Sequence, residues 1–322
     1  MMETSLPYLI IILSGFLAYF IQKIFVHYQR FDGFNHRSSH ETMATRTGGI
    51  GVFMTLLFVS ICFYFNAIQL FDYSLFIPLG IMFVVGVYDD FYNADFKLKF
   101  LLQIIVAKII IDQGYVITNY YGLFGVYEVS WIIAQLTTVF VFLVIINSIN
   151  FIDGIDGLGV TQVIKTILFI ELFSFSGTAL TTLNIMLILS LIPLYYFNFK
   201  KSKKVFLGDN GSLLLGTIVS ICIFYVLGND YEFKEGFQMN KVLFSVLVIL
   251  YPLVDLLRVF ILRIKKGKSP FEADKNHLHH KILSQKIMKN HFTVVFFILS
   301  IELILTLLIL FLNNIFNSNN FQ

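Results

Sequence analysis

Charge is scarce in this 322-residue chain. Asp, Glu, Lys and Arg together make up 13% of it, where a soluble domain carries roughly 25%. That scarcity excludes a disordered chain and a soluble enzyme with a single membrane tail. Cysteine is scarcer still: Cys62 and Cys222 each sit inside an apolar run. They read as small buried hydrophobes, which excludes a disulfide scaffold and a cysteine metal pair. The opening residues, Met1-Met2-Glu3-Thr4, lack the basic segment that precedes a signal-peptide core, so no cleaved leader is expected. The formal net charge of +3 is too small to point to nucleic acid. No internal repeat is visible, which removes support for an inverted-repeat transporter. No loop is long enough to hold an appended soluble domain, and the one biased segment is the short Asn-rich tail at Asn313–Asn320.

What is abundant is apolar. With 57% hydrophobic residues, 37 Phe and 16 Tyr, and a mean hydropathy of +0.80, the chain reads as an all-α polytopic membrane protein forming one domain over residues 1–322. Ten apolar runs predict transmembrane helices at Leu6–Phe25, Gly48–Phe65, Leu75–Tyr88, Phe100–Val116, Trp131–Ile149, Leu158–Phe175, Leu183–Phe197, Leu213–Leu227, Val242–Leu262 and Phe292–Phe311. The third, seventh and eighth are short. If the first span runs from outside to inside, the loops at 22–47, 88–99, 198–211 and 263–291 face the cytoplasm. With the helix ends feeding them, they hold 19 of the 23 Lys and Arg, and the opposite loops hold only Lys234 and Lys241. This positive-inside bias places both termini outside the cytoplasm. Lys108 and Lys165 fall within spans and are expected to snorkel to an end.

Every polar cluster falls on the cytoplasmic side of that topology. Asp89 and Asp90 end the third span, with Lys97, Lys99 and Gln103 following. Adjacent carboxylates repel unless a cation or proton lies near, so the pair is either a solvated helix end or a site for a divalent metal or cationic group. Asn147, Asn150, Asp153 and Asp156 recur every three residues, with Gly154 and Gly157 among them. Four oxygen-bearing side chains on one face suit a hard cation or a sugar, and a capping turn needs only one. Asp209 opens the eighth span between Gly208 and Gly211, after Lys200, Lys201, Lys203 and Lys204. Those lysines suit a phosphate or acidic lipid headgroups equally well. The long loop 263–291 carries Arg263, a run of lysines, and His277, His279 and His280. Leu278, Ile282, Leu283 and Ile287 keep a helical period, which predicts a short amphipathic helix starting near Asp274 with His277 and His280 on one face. Zinc is the rival occupant of the histidines; with no cysteine nearby and basic residues on both sides, anion binding is better supported. Carboxylates, amides and a basic loop on one membrane face suit a diphosphate carried with Mg²⁺, with a lipid phosphate as the membrane-borne reactant.

From about His40 to His280 the chain resembles the polyprenyl-phosphate N-acetylhexosamine-1-phosphate transferases. The resemblance rests on His40…Arg46-Thr47-Gly48-Gly49, Asp89-Asp90 with Lys97, Lys99 and Gln103, and the Asn-x-x-Asn-x-x-Asp-Gly-x-Asp-Gly-Leu run at 147–158. It continues in Gly208-Asp209-x-Gly-Ser212, Asp255 within a span, Gly267-x-Ser-Pro-Phe271 and His277-Leu-His-His280. The last two motifs are similar to the bacterial UDP-GlcNAc branch and unlike the branch that accepts UDP-MurNAc-pentapeptide. Membership implies transfer of GlcNAc-1-phosphate from UDP-GlcNAc to undecaprenyl phosphate, releasing UMP, in the cell inner membrane; another UDP-N-acetylhexosamine or UDP-MurNAc-pentapeptide is the alternative donor. The product would open O-antigen, common-antigen or wall teichoic acid assembly. The resemblance further implies Mg²⁺ (Mn²⁺ as the alternative) held by Asn150 and Asp209, catalytic roles for Asp89, Asp90, Asp153 and Asp156, and substrate contacts from Arg46, Asn147, Phe206, Arg263, His277, His279 and His280. Relatives are often homodimers. Met43 and Thr45 replace prolines usual in the first loop. A cation- or proton-coupled transporter and an inactive assembly scaffold are the readings from other classes; the transporter predicts mid-span carboxylates in both halves of a repeat.

Overall fold

A chain in lipid must satisfy its backbone polar groups internally, and helices do this within each segment. The computed structural model describes residues 2–31, 44–200, 202–228, 230–270, 276–284, 288 and 290–319. The helices are α1 (Met2–His27), α2 (Gly48–Phe65), α3 (Phe76–Tyr92), α4 (Phe96–Asp112), α5 (Trp131–Ile152), α6 (Leu158–Phe173), α7 (Thr181–Phe199), α8 (Gly208–Val226), α9 (Lys241–Val248), α10 (Leu250–Lys265), α11 (Leu278–Ser284) and α12 (His291–Asn319). The described residues also form a single 3-10 turn at Tyr73–Leu75 and four short strands: β1 (Ala44–Thr45) parallel to β4 (Lys204–Val205), and β2 (Asn119–Leu123) antiparallel to β3 (Val126–Glu128). His40, Met43, Phe271, Asp274 and Ile287 lie outside the described residues.

The bundle is organised around α8. Its sequence is apolar or small on every side, and 89% of its span is buried, against 22% for α1. A helix that is apolar all round belongs in a core. The backbone of α3 passes close beside it: a Cβ on Gly86 would meet Asn210 Cα at 2.4 Å, so only glycine permits the crossing. Large apolar side chains such as Phe16, Phe58, Val84, Leu136, Phe140 and Ile304 point outward, which is the lipid-facing surface of a multi-pass membrane protein.

Each of the ten apolar runs contains a helix, although the fourth and sixth runs extend past the ends of theirs at Asp112 and Phe173 and the ninth is broken at Ile249. By length and composition, though, seven helices among the described residues can cross a membrane, and eight if α9 and α10 form one broken span. α4 and α6, at 17 and 16 residues, fall short of that length. The expected count of ten is therefore not met on those criteria. α4 and α6 still run from end to end. The α4 N-terminus meets Asp89 through Lys99, while Gln113 just past its C-terminus donates to Ser74 O, 2.9 Å. Phe173 O at the far end of α6 accepts Lys234 N–H, 3.0 Å.

The ninth span is bent by 78° between Val248 and Leu250. Pro252 stands in the first turn of α10, where a missing N–H is tolerated but a continuous helix is not. The freed groups find partners elsewhere. Thr166 Oγ1 donates to Val248 O, 2.8 Å, and Tyr251 N–H donates to Glu302 Oε1, 3.0 Å. Glu302 is paired with Lys165, and Gln162 bonds both of them. Lys165 therefore corrects the expectation that it snorkels: it is buried, held by a carboxylate that caps a broken helix.

Candidate active site

The C-termini of α3, α5 and α10 and the N-termini of α2, α8 and α12 meet at one end of the bundle, and the polar motifs meet there with them. The β1–β4 ladder ties the first loop to the segment entering α8: Phe206 N–H donates to Thr45 O, 2.8 Å, and Gly48 N–H returns to Phe206 O, 2.9 Å. Phe206 is thereby placed at the mouth of α8 by its backbone.

Asp209 occupies the first turn of α8, where the helix dipole favours an anion. Asp90 caps this helix from outside. It accepts Asp209 N–H at 3.1 Å and Asn210 N–H at 2.9 Å, with Asn210 Nδ2 at 2.5 Å and Arg46 Nη1 at 3.4 Å. Both oxygens of Asp90 are thus engaged in holding α8 against α3. Asp89, its neighbour, pairs with Lys99 and accepts Ala94 N–H, 2.8 Å. A cleft of about 250 Å³ opens beside Asp90, lined by Phe25, Arg30, Phe31, Arg46, Phe91 and Asn210 among others.

The asparagine–aspartate ladder divides. Asn147 turns inside the bundle, donating to Gln103 Oε1, 3.0 Å, and to Leu143 O, 2.7 Å. Asn150 reaches Asp209 Oδ1 and Ser212 Oγ, the latter at 2.8 Å. Asp153 lies where the charges of Asp209, Asp90 and Asp156 act on it; burial first, and then those three, push its carboxyl well above the usual range, opposed by Arg46. Asp156 is clasped by Lys204 and by His291 Nδ1, 2.9 Å. Burial alone would raise its carboxyl, but His291 and then Lys204 hold it below the ordinary range.

The histidines dock on this loop. A Cβ on Gly154 would meet His279 Nε2 at 2.7 Å and His280 Nε2 at 3.0 Å, so the glycine makes room for both. His279 is buried against Tyr251 OH, 3.3 Å from Nδ1. Burial, then His280, pushes it well below the usual imidazole range, so it is neutral at pH 7 and cannot supply the positive charge expected of it. His277 pairs with Asp255, 2.6 Å, and precedes α11, which begins at Leu278; the short helix expected from near Asp274 therefore starts later, and His277 does not share its face with His280. Arg263 is buried, donates to Pro270 O, and lies over the Phe151 ring at 5.6 Å.

The donors present fit a hard divalent cation. Asp209, Asn150, Ser212 and Asp153 are all oxygen-bearing, and the charges of Asp209, Asp90 and Asp156 add to the effect of burial in raising the Asp153 carboxyl. Among the described residues no three His, Cys, Asp or Glu form a ready cage. In this structure the nitrogen of the Asn150 amide faces Asp209; a half-turn of that amide presents its oxygen without moving the chain.

Lys99, Ser212, Lys204, Tyr251, Asp255 and His291 join the site beyond the residues expected from sequence. Lys99, Ser212 and Asp255 lie inside quoted motifs, and Lys204 in a lysine run with two readings. His291 had no local signal: its partner Asp156 is 135 residues away.

A family model described as glycosyl transferase family 4 matches residues 72–227. An undecaprenyl-phosphate alpha-N-acetylglucosaminyl 1-phosphate transferase of Pasteurella multocida is 31% identical over 77% of this chain and 70% of its own length. A decaprenyl-phosphate N-acetylglucosaminephosphotransferase of Mycobacterium leprae is 30% identical over 77% and 68%. A probable undecaprenyl-phosphate N-acetylglucosaminyl 1-phosphate transferase of Bacillus subtilis is 28% identical over 82% and 72%.

Proposed function

This chain belongs to glycosyl transferase family 4, and we propose that it transfers N-acetylglucosamine 1-phosphate from UDP-GlcNAc to undecaprenyl phosphate, releasing UMP. The observation that carries the reading is the meeting of Asp209, Asn150, Asp153 and Asp89 at one end of a lipid-facing bundle, beside a cleft walled by Phe25, Phe31, Phe91, Arg30 and Arg46. Aromatic walls with guanidinium groups suit a phosphate carried on an apolar chain. We place this end at the cytoplasmic face of the inner membrane, with both termini on the other side, from the lysine and arginine bias of the loops.

Asp209 and Asn150 are the residues that hold Mg²⁺ in this reading, and the ion supplies charge neutralisation between two phosphate-bearing reactants. The protein's own contribution is positioning. Asp90 fixes the α8 N-terminus and so the direction of Asp209. Asp156, held by Lys204 and His291, sets the loop that carries Asp153. Arg263, lying over Phe151, brings a buried positive charge to the residue that follows Asn150 in the chain. Asp89 acts here as a positioner of charge. A phosphate monoester's second pKa is near 6, so the acceptor is largely dianionic at pH 7, and a base there gains only about 1 kcal/mol. The Lys99 pairing of Asp89 agrees with that role.

The test is UMP release from purified protein with Mg²⁺, undecaprenyl phosphate and a panel of UDP-sugars. Release with UDP-GlcNAc is expected. Release only with another N-acetylhexosamine, or with UDP-MurNAc-pentapeptide, corrects the donor, and no release from any sugar defeats the transferase reading. Removing divalent ions should abolish turnover, with Mg²⁺ or Mn²⁺ restoring it.

A further inference from the structure

Asp255 lies within α10, fully buried, and both of its carboxylate oxygens are engaged. Oδ2 meets His277 Nδ1 at 2.6 Å, and Oδ1 accepts Leu278 N–H at 2.8 Å and Arg258 Nη2 at 3.0 Å. Tyr251, one turn earlier on the same face, holds His279. This face of α10 is therefore a rack on which the histidine segment is hung, although the two are separated by 22 residues at the His277 contact.

The consequence is chemical as well as steric. An ionised aspartate can only accept, so the hydrogen between it and His277 belongs on Nδ1. That leaves Nε2 as the acceptor facing Arg263 Nη2, 3.4 Å away. The other neutral tautomer would aim an N–H at a guanidinium. His277 also meets Phe151 edge-on, with ring centroids 5.8 Å apart, and Phe151 lies under Arg263 at 5.6 Å and follows Asn150 directly. A continuous series of contacts thus runs from Asp255 through His277 and Arg263 to the residue beside the proposed cation ligand.

We infer that Asp255 is a positioning residue of the transfer reaction: it holds His277 in the Nδ1–H form and thereby aims Arg263 and the histidine segment at the donor's diphosphate. This rests on the proposed function, and three measurements separate the two. In Asp255→Asn the side-chain oxygen can keep the Leu278 and Arg258 bonds, but its NH₂ group faces Nδ1 and demands the opposite tautomer. The expected result is a loss of roughly 10- to 100-fold in kcat/KM for UDP-GlcNAc, the scale for a partner that orients a functional histidine. The KM for undecaprenyl phosphate should hold, and the thermal midpoint should fall modestly, as for the other carboxylates that have ion-pair partners. Unchanged donor kinetics in the folded variant would overturn the inference.

In a His277→Gln background, Asp255→Asn should cost nothing more, because the path through His277 is already broken; multiplying losses would overturn the inference instead. The third measurement needs no Asp255 variant. In ¹⁵N-histidine-labelled wild-type protein, with the His277 signals assigned by their loss in His277→Gln, Nδ1 should carry a proton. A bare Nδ1 overturns the inference even if Asp255→Asn cannot be folded. Wild-type protein that releases no UMP would instead defeat the proposed function, while the nitrogen signal still decides the tautomer.

Discussion

Two kinds of carboxylate share this bundle. Asp156, Asp255 and Glu302 each have ion-pair or histidine partners: Lys204 and His291, Arg258 and His277, and Lys165. Among the described residues no ion pair reaches Asp209 or Asp153, whose charges act on each other. Carboxylates crowded together without a cation are costly and persist where something else uses them. The matched acids hold segments together, and the unmatched acids face the place where substrate and cation are proposed to meet. Asp89 stands between the two kinds, paired with Lys99 yet within reach of Asp209's charge.

This division can be broken from either side. The largest effect is expected at the Lys165–Glu302 pair. Lys165→Met leaves Glu302 buried and alone, costing about 3–5 kcal/mol of stability in thermal unfolding in detergent. Adding Glu302→Gln should recover most of it, since the amide oxygen can still accept Tyr251 N–H. Asp209→Asn should do the reverse. UMP release falls roughly 10²- to 10³-fold, about 2.7–4 kcal/mol of transition-state stabilisation, while the thermal midpoint stays or rises because like charge is removed. A marked fall in midpoint would move Asp209 to the matched class. Asp156→Asn should cost about 1.5–3 kcal/mol, read as a lower midpoint and a higher KM for the donor, since the loop bearing Asp153 loosens. Asp89→Asn should lower kcat about tenfold, near 1.4 kcal/mol, and raise the Mg²⁺ needed for half-maximal rate. Near-normal turnover with unchanged Mg²⁺ dependence would remove Asp89 from the site. The smallest effect belongs to the exposed Lys108–Asp112 pair at the other end. Lys108→Ala should change stability by no more than about 0.5 kcal/mol, and UMP release not at all.

Particular residues show how much could be read in advance. Asp209, Asn150 and Asp153 stood out because glycines and regularly spaced polar side chains beside an apolar run add nothing to packing and exceed what one helix cap needs, and they do converge. Asp90 and Asp156 stood out by the same logic, but the structure gives them mainly holding roles, because a motif records that a carboxylate is present and not which donors surround it. Asn147 shows this most simply: three residues from Asn150, it turns to Gln103 and leaves the site. His279 carries a charge-neutralising histidine's sequence signature and is neutral, because burial is invisible in the primary structure. Lys165 lay too deep in its span to be read as the partner of a glutamate 137 residues away.

By itself, the amino-acid sequence determined that this protein lives in a bilayer, that its chain forms helices, and which loops carry its polar chemistry. Those follow from local composition, because lipid rewards apolar runs and internal backbone bonding wherever they occur. Only the tertiary structure decided which carboxylates keep their charge to themselves and which share it. That depends on donors brought from distant segments to within about 3 Å, the range in which hydrogen bonds and ion pairs set a buried group's state.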